Sequence, residues 1–114
     1  MTFIQKKDRI FIAGHNGMVG GAIKRLLFKK GYKKLLTAER ETLDLSQAEA
    51  VKTWFKENHP EVVILAAAKV GGIEANYKFP GDFILENLKI QINIIENAWK
   101  FKTKRLLFLG SSCI

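Results

Sequence analysis

Apolar residues along this chain change their period several times, and each change marks an element. Ile10-Phe11-Ile12-Ala13 is an unbroken apolar run that reads as a strand over 9–13. Val19, Ala22, Ile23, Leu26 and Leu27 then recur at i, i+3, i+4, i+7 and i+8, one face of a helix that stops near Gly31. Leu35-Leu36-Thr37-Ala38 reads as a short second strand. Ser46-Gln47-Ala48-Glu49 has the spacing of a capping box, which predicts a second helix with Ala48, Val51 and Phe55 inward, ending before Pro60. Val62-Val63-Ile64-Leu65-Ala66 is rich in β-branched residues and does not alternate, so it predicts a central strand buried on both faces. A long helix over 81–101 follows, and then a fourth buried strand over 105–109.

Strands separated by helices imply right-handed crossovers and a parallel sheet. The expected fold class is α/β, a partial doubly wound (Rossmann) parallel sheet of strand order 3-2-1-4, truncated after the fourth strand. Such sheets ordinarily continue, and a fourth strand left at the rim would be an exposed apolar edge. The long helix carries two apolar stripes. Ile84, Leu88, Ile92, Ile95 and Trp99 are expected to face the sheet. Phe83, Ile90, Ile94 and Phe101 lie well over a quarter-turn away and call for a second cover, either a further subdomain or a partner helix across a dimer.

Composition narrows the class. The 114 residues are 47% hydrophobic, so the chain is globular and at most one domain. Its start has no apolar signal core, and the longest apolar stretch, Val62 to Ala68, is too short to span a bilayer, which predicts a soluble, cytoplasmic protein with no membrane contact. The net charge of +8 is read either as attraction to a phosphorylated ligand or as lysines spread over solvated faces. No nucleic-acid motif accompanies it, and no nucleic-acid partner is expected. A lone cysteine, Cys113, excludes an internal disulfide and any multi-cysteine metal site; no metal is expected.

The candidate chemistry begins at Gly14-His15-Asn16-Gly17-Met18-Val19-Gly20, between the first strand and the first helix. Glycines there admit backbone angles closed to other residues and let the chain approach a ligand without a Cβ. The first-turn N–H groups and the positive end of the helix dipole then face an anion. The spacing is G-x-x-G-x-x-G rather than the commoner G-x-G-x-x-G. At the end of the second strand an acid would bind the ribose hydroxyls of NAD, and an arginine the 2′-phosphate of NADP. This chain has Glu39 and Arg40 side by side, so position alone leaves both open. Asp44 and Leu45 follow at a distance suited to the adenine edge. Ala66, Ala67 and Ala68 end the third strand with small side chains, leaving room for a ligand. Ser111, Ser112 and Cys113 end the fourth strand at the same edge, either as groups that polarise a carbonyl and move a proton or as a polar strand end and a small buried thiol.

Five blocks together carry a family resemblance: the glycine loop, Arg40 with Leu43-Asp44-Leu45, Ala66 through Ile73, Asp82-Phe83-Ile84 with Glu86-Asn87-Leu88, and Leu106 through Ile114. From strand one onward the sequence resembles the GDP-L-fucose synthase family of the extended short-chain dehydrogenase/reductase superfamily. The resemblance implies NADPH-dependent 3,5-epimerisation and 4-reduction of GDP-4-keto-6-deoxy-D-mannose to GDP-L-fucose. It implies that Ser111 hydrogen-bonds the C4 oxygen and that Cys113 acts as acid and base in epimerisation. Residues 14–20 match the pyrophosphate loop, Arg40 the 2′-phosphate arginine, and the 81–101 helix the one that builds the homodimer. Position 16 is Asn where relatives commonly carry an arginine that also favours NADP. By the same resemblance, residues 1–114 are the amino-terminal part of an NADP-binding domain, without the rest of that domain, the substrate domain or the Tyr-x-x-x-Lys pair. The isolated chain is therefore expected to be inactive. The alternative is a non-catalytic nucleotide-binding or interaction module on the same fold.

Overall fold

Two apolar tetrapeptides, β1 (Ile10–Ala13) and β3 (Val62–Leu65), lie side by side at the centre of a parallel sheet, with every residue of both buried. Around them the computed structural model, which describes residues 4–66 and 80–109, places α1 (Met18–Lys29), β2 (Leu35–Leu36), α2 (Ala48–Asn58), α3 (Pro80–Lys100) and β4 (Arg105–Phe108). Ile10 pairs with Leu35 on one side and Val62 on the other, and Val62 pairs in turn with Arg105. The doubly wound α/β class holds, but the strand order is β2-β1-β3-β4 rather than 3-2-1-4. No described strand lies outboard of β2. The chain leaves β2 through turns straight into α2, and the crossover carries β3 over β1 to its far side. Only there can a run with no polar alternation be flanked by strands on both sides.

The two faces of the sheet are covered unequally. On one face Phe11, Ala13, Val63 and Leu65 pack against Val51 and Phe55 of α2 and Ile90, Ile94 and Ala98 of α3. The Phe11 ring lies 5.1 Å from Trp54 and 6.3 Å from Phe55, tilted and edge-on respectively. Complete burial of a side chain such as Phe55 contributes about 1.5–3 kcal/mol. On the other face Ile10, Ile12, Val62 and Ile64 meet Ile23 and Leu27 of α1, with Tyr32, Leu35 and Leu109. The predicted α1 stripe is narrower in fact, since Val19, Ala22 and Leu26 are exposed. The fourth strand is a half-exposed edge, not a buried strand, with Leu107 and Phe108 open to solvent.

The long helix reverses its expected orientation. Ile84, Leu88, Ile92, Ile95 and Trp99, assigned to the sheet, are all exposed, Trp99 at 81%. The face against the sheet is Ile90, Ile94 and Ala98, with Asn93 and Asn97 buried among them. These asparagines make that face look polar, yet both amides are satisfied. Asn93 Nδ2 donates to the Leu45 carbonyl at 2.9 Å, and Asn97 Nδ2 to the Asn93 carbonyl at 2.7 Å. A buried amide with a partner costs little, so the pair can occupy the core.

The expected capping box does not form either. Gln47 is the N-cap of α2 and makes no side-chain cap hydrogen bond, and Ala48 is exposed. The Ser46 hydroxyl and backbone N–H both donate to Asp44 Oδ1, at 2.7 and 3.0 Å. A carboxylate two residues upstream is a stronger acceptor than the competing arrangement offers.

Where the strands begin, paired charges close the sheet. Lys104 Nζ lies 2.7 Å from Asp8 Oδ2, and the Gln5 N–H donates to the same oxygen at 2.7 Å. Burial pushes the Asp8 carboxyl up, but the Gln5 and Lys104 bonds outweigh it and hold it below the ordinary aspartate value. Beside it, Arg9 pairs with Glu61 at 3.4 Å and donates to the carbonyls of Asn58 and His59, which end α2. Thr103 Oγ1 donates to the Pro60 carbonyl at 3.0 Å.

Candidate functional site

At the opposite edge, where the strands end, β1 breaks into the glycine loop. Gly14 adopts φ +95°, a left-handed conformation that turns the chain out of the strand at no steric cost. The Gly17 N–H donates back to the Gly14 carbonyl at 3.1 Å and closes the turn. Gly20 packs against that same carbonyl: a Cβ there would stand 2.0 Å from the Gly14 oxygen. Gly17 differs, since its Cβ would meet nothing closer than 3.5 Å, an ordinary contact. The fold therefore requires glycine at 14 and 20, while the exposed position 17 would accept a Cβ and its glycine leaves the helix end uncovered by a side chain.

That helix end is built to receive negative charge. Gly17 is the N-cap of α1, no side chain caps the helix, and its first turn contains no acidic residue. Its leading N–H groups and the positive end of its dipole are thus unopposed by the chain's own carboxylates within that turn. Asn16, Met18 and Val19 stand exposed around it, Met18 at 91%.

The loop is tied sideways to the segment that follows β2. Asn16 Nδ2 donates to Glu39 Oε2 at 2.7 Å, and His15 Nε2 donates to Glu39 Oε1 at 3.1 Å. The Asn16 bond first, then that of His15, holds the Glu39 carboxyl below its ordinary value. Glu39 and Arg40 are rivals by position in the sequence, but this clasp leaves no trace there, because nothing local links positions 23 and 24 residues apart. Arg40 points elsewhere: its Nη2 pairs with Glu86 Oε1 of α3 at 3.3 Å, on a side chain 64% exposed. Asp44 receives Ser46, and the Leu45 carbonyl receives Asn93, so both stand at the start of α2 and fasten that loop to α3.

The Ala66 N–H donates to the Ala13 carbonyl at 2.8 Å, which sets the end of β3 directly beside the start of the glycine loop. Gly14 through Gly20, Glu39 and Ala66 therefore share one edge. Ala67, Ala68, Ser111 and Cys113 lie outside the described residues. Among the described residues no group of three or more His, Cys, Asp or Glu side chains could hold a metal ion, and no helix is long and apolar enough to cross a membrane.

Known proteins resemble this chain along nearly its whole length. A family model described as the NAD dependent epimerase/dehydratase family matches residues 10–114. GDP-L-fucose synthase 1 of Arabidopsis thaliana is 50% identical over 109 residues, covering 96% of this chain and 34% of that protein. GDP-L-fucose synthase of Escherichia coli is 50% identical over 108 residues, covering 95% of this chain and 34% of that protein. Among solved structures, a GDP-mannoheptose C4 reductase from Campylobacter jejuni with NADP bound superimposes with a TM-score of 0.89 at 42% identity, covering 95% of this chain and 34% of that one. The chain spans about a third of the length of the curated relatives it matches.

Proposed function

The chain belongs to the NAD dependent epimerase/dehydratase family, and on that premise we propose that the loop over 14–20 binds the pyrophosphate of NADP(H). The uncapped first turn of α1 with an open Gly17 is the observation that carries this reading. The residues fit the group: N–H donors are presented to an anion, and the one loop glycine the fold does not require leaves space for it. Ala66, at the adjoining strand end, adds a small side chain beside the same space. Arg40 reaches the 2′-phosphate by leaving Glu86.

Residues 1–114 then form the amino-terminal part of an NADP-binding domain. The complete protein acts as a GDP-L-fucose synthase, epimerising GDP-4-keto-6-deoxy-D-mannose at C3 and C5 and reducing it at C4. The 50% identity to enzymes of that name supports this reading. Bound NADPH supplies the hydride for the ketone. By family resemblance, Ser111 donates a hydrogen bond to the C4 oxygen. The 4-keto group acidifies the neighbouring C–H bonds, and Cys113 moves protons there. The protein is cytoplasmic, and its complete form is a homodimer through the 81–101 helix. The exposed stripe of Ile84, Leu88, Ile92, Ile95 and Trp99 is the surface that such a partner would cover.

Titration calorimetry on the 114-residue chain tests the cofactor reading, with NADPH binding as the expected result. No conversion of GDP-4-keto-6-deoxy-D-mannose should accompany it, since these residues lack a Tyr-x-x-x-Lys pair. Failure to bind any dinucleotide would overturn the assignment of the loop. Turnover by this chain alone would overturn its expected inactivity.

A further inference from the structure

Glu39 follows β2 closely, and its side chain reaches across the sheet edge to the glycine loop. Each of its oxygens receives one loop donor, Asn16 at 2.7 Å and His15 at 3.1 Å. A carboxylate offers about four acceptor directions, so about two remain on a side chain that is 57% exposed. The neighbouring cation is engaged elsewhere, because Arg40 pairs with Glu86 of α3. In a doubly wound sheet the residue that follows the second strand meets the adenosine ribose, where a carboxylate accepts from hydroxyls and a cation pairs with a 2′-phosphate.

Resting on the reading of residues 14–20 as the pyrophosphate loop, we propose that Glu39 is the specificity-determining residue at the ribose. Its carboxylate accepts hydrogen bonds from the ribose hydroxyls of the unphosphorylated dinucleotide and opposes a 2′-phosphate, so the chain accepts NAD(H) beside NADP(H). The clasp fixes the carboxylate in place and makes the opposition geometric. A phosphate set against it meets a like charge that cannot swing away without releasing Asn16 and His15. To compensate, Arg40 must give up Glu86. The phosphorylated dinucleotide gains one cation and loses one ion pair, whereas the unphosphorylated one disturbs neither.

Dissociation constants for NADH and NADPH, measured on the full chain and on Glu39→Gln, test this. Glutamine keeps an acceptor oxygen and the shape of the side chain, and circular dichroism checks that the variant folds. The native chain should bind the two dinucleotides within about tenfold of each other. Glu39→Gln should shift the ratio toward NADPH by about tenfold or more, through tighter NADPH and weaker NADH. An unchanged ratio, or an equal loss for both dinucleotides, would reduce Glu39 to a loop fastener and overturn the inference while leaving the pyrophosphate loop standing. A native chain that binds neither dinucleotide overturns that loop assignment, and this inference with it. Asn16→Ala removes one arm of the clasp and keeps the charge, so it should shift the ratio toward NADPH by less than Glu39→Gln does. A shift in ratio equal to that of Glu39→Gln would assign discrimination to the loop amide instead and overturn the role of Glu39.

Discussion

The two edges of this sheet are formed by the same strands and finished in opposite ways. Where the strands begin, side chains find partners within the chain: Asp8 pairs with Lys104, Arg9 with Glu61 and the carbonyls that end α2, and Thr103 with the Pro60 carbonyl. Where they end, the described residues tie down the flank of the glycine loop, through Glu39, and leave the start of α1 without a side-chain cap. Both edges carry charge, yet one is neutralised internally and the other presents donors outward. Charged residues at a sheet edge therefore say little about a site until their partners are known. The informative observation is a helix end whose donors the chain itself leaves uncapped.

Substitutions can separate the two edges, and the largest effect should come from within the site edge itself. Gly20→Ala would drive a methyl group into the Gly14 carbonyl, 2.0 Å away. It should destabilise the chain by about 3 kcal/mol or more, read as a collapse of the thermal transition. If Gly20→Ala unfolds normally, close packing at Gly20 is not what this loop needs glycine for. At the opposite edge, Lys104→Met should leave the Asp8 carboxylate buried and short of a counter-charge. A loss of about 2–3 kcal/mol in urea unfolding is expected, less than for a fully buried pair because Lys104 is 24% exposed.

The same pair predicts a pH dependence. The folded-state value of Asp8 is lowered, so its contribution is fully present above its unfolded value, near pH ~4, and fades as the pH falls through the folded one. The native chain should thus weaken on acidification below about pH 4, and Lys104→Met should flatten that slope. Gly17→Ala should reverse the pattern of Gly20→Ala, with stability within about 1 kcal/mol of native and dinucleotide affinity down about tenfold. Equal affinity in the variant would mean that no ligand uses the close approach to the backbone that Gly17 allows. The smallest effect should be that of Glu61→Gln, which removes charge from a part-exposed pair and retains an acceptor; about 0.5 kcal/mol is expected from the same urea measurement.

Element identity was legible because it is written locally. Consecutive β-branched residues at 62–64 exclude a polar face, and the recurrence of Val19, Ala22, Ile23, Leu26 and Leu27 at i, i+3, i+4, i+7 and i+8 is one that only a helix brings to one side. The glycine loop was legible for the same reason, as Gly14 and Gly20 answer to strain within seven residues. Periodicity could not say which stripe of the long helix faces the sheet, since both stripes are apolar. Partners far along the chain decided it: the Leu45 carbonyl takes Asn93, and Ile90 and Ile94 join Val51 and Phe55. The neighbours of β3 and the binding of Glu39 to Asn16 were likewise decided only in three dimensions. Hydrophobic period and backbone strain act between near neighbours and survive in the sequence. Hydrogen-bond satisfaction and charge pairing act between whichever residues the crossovers bring together, and only the tertiary structure says which those are.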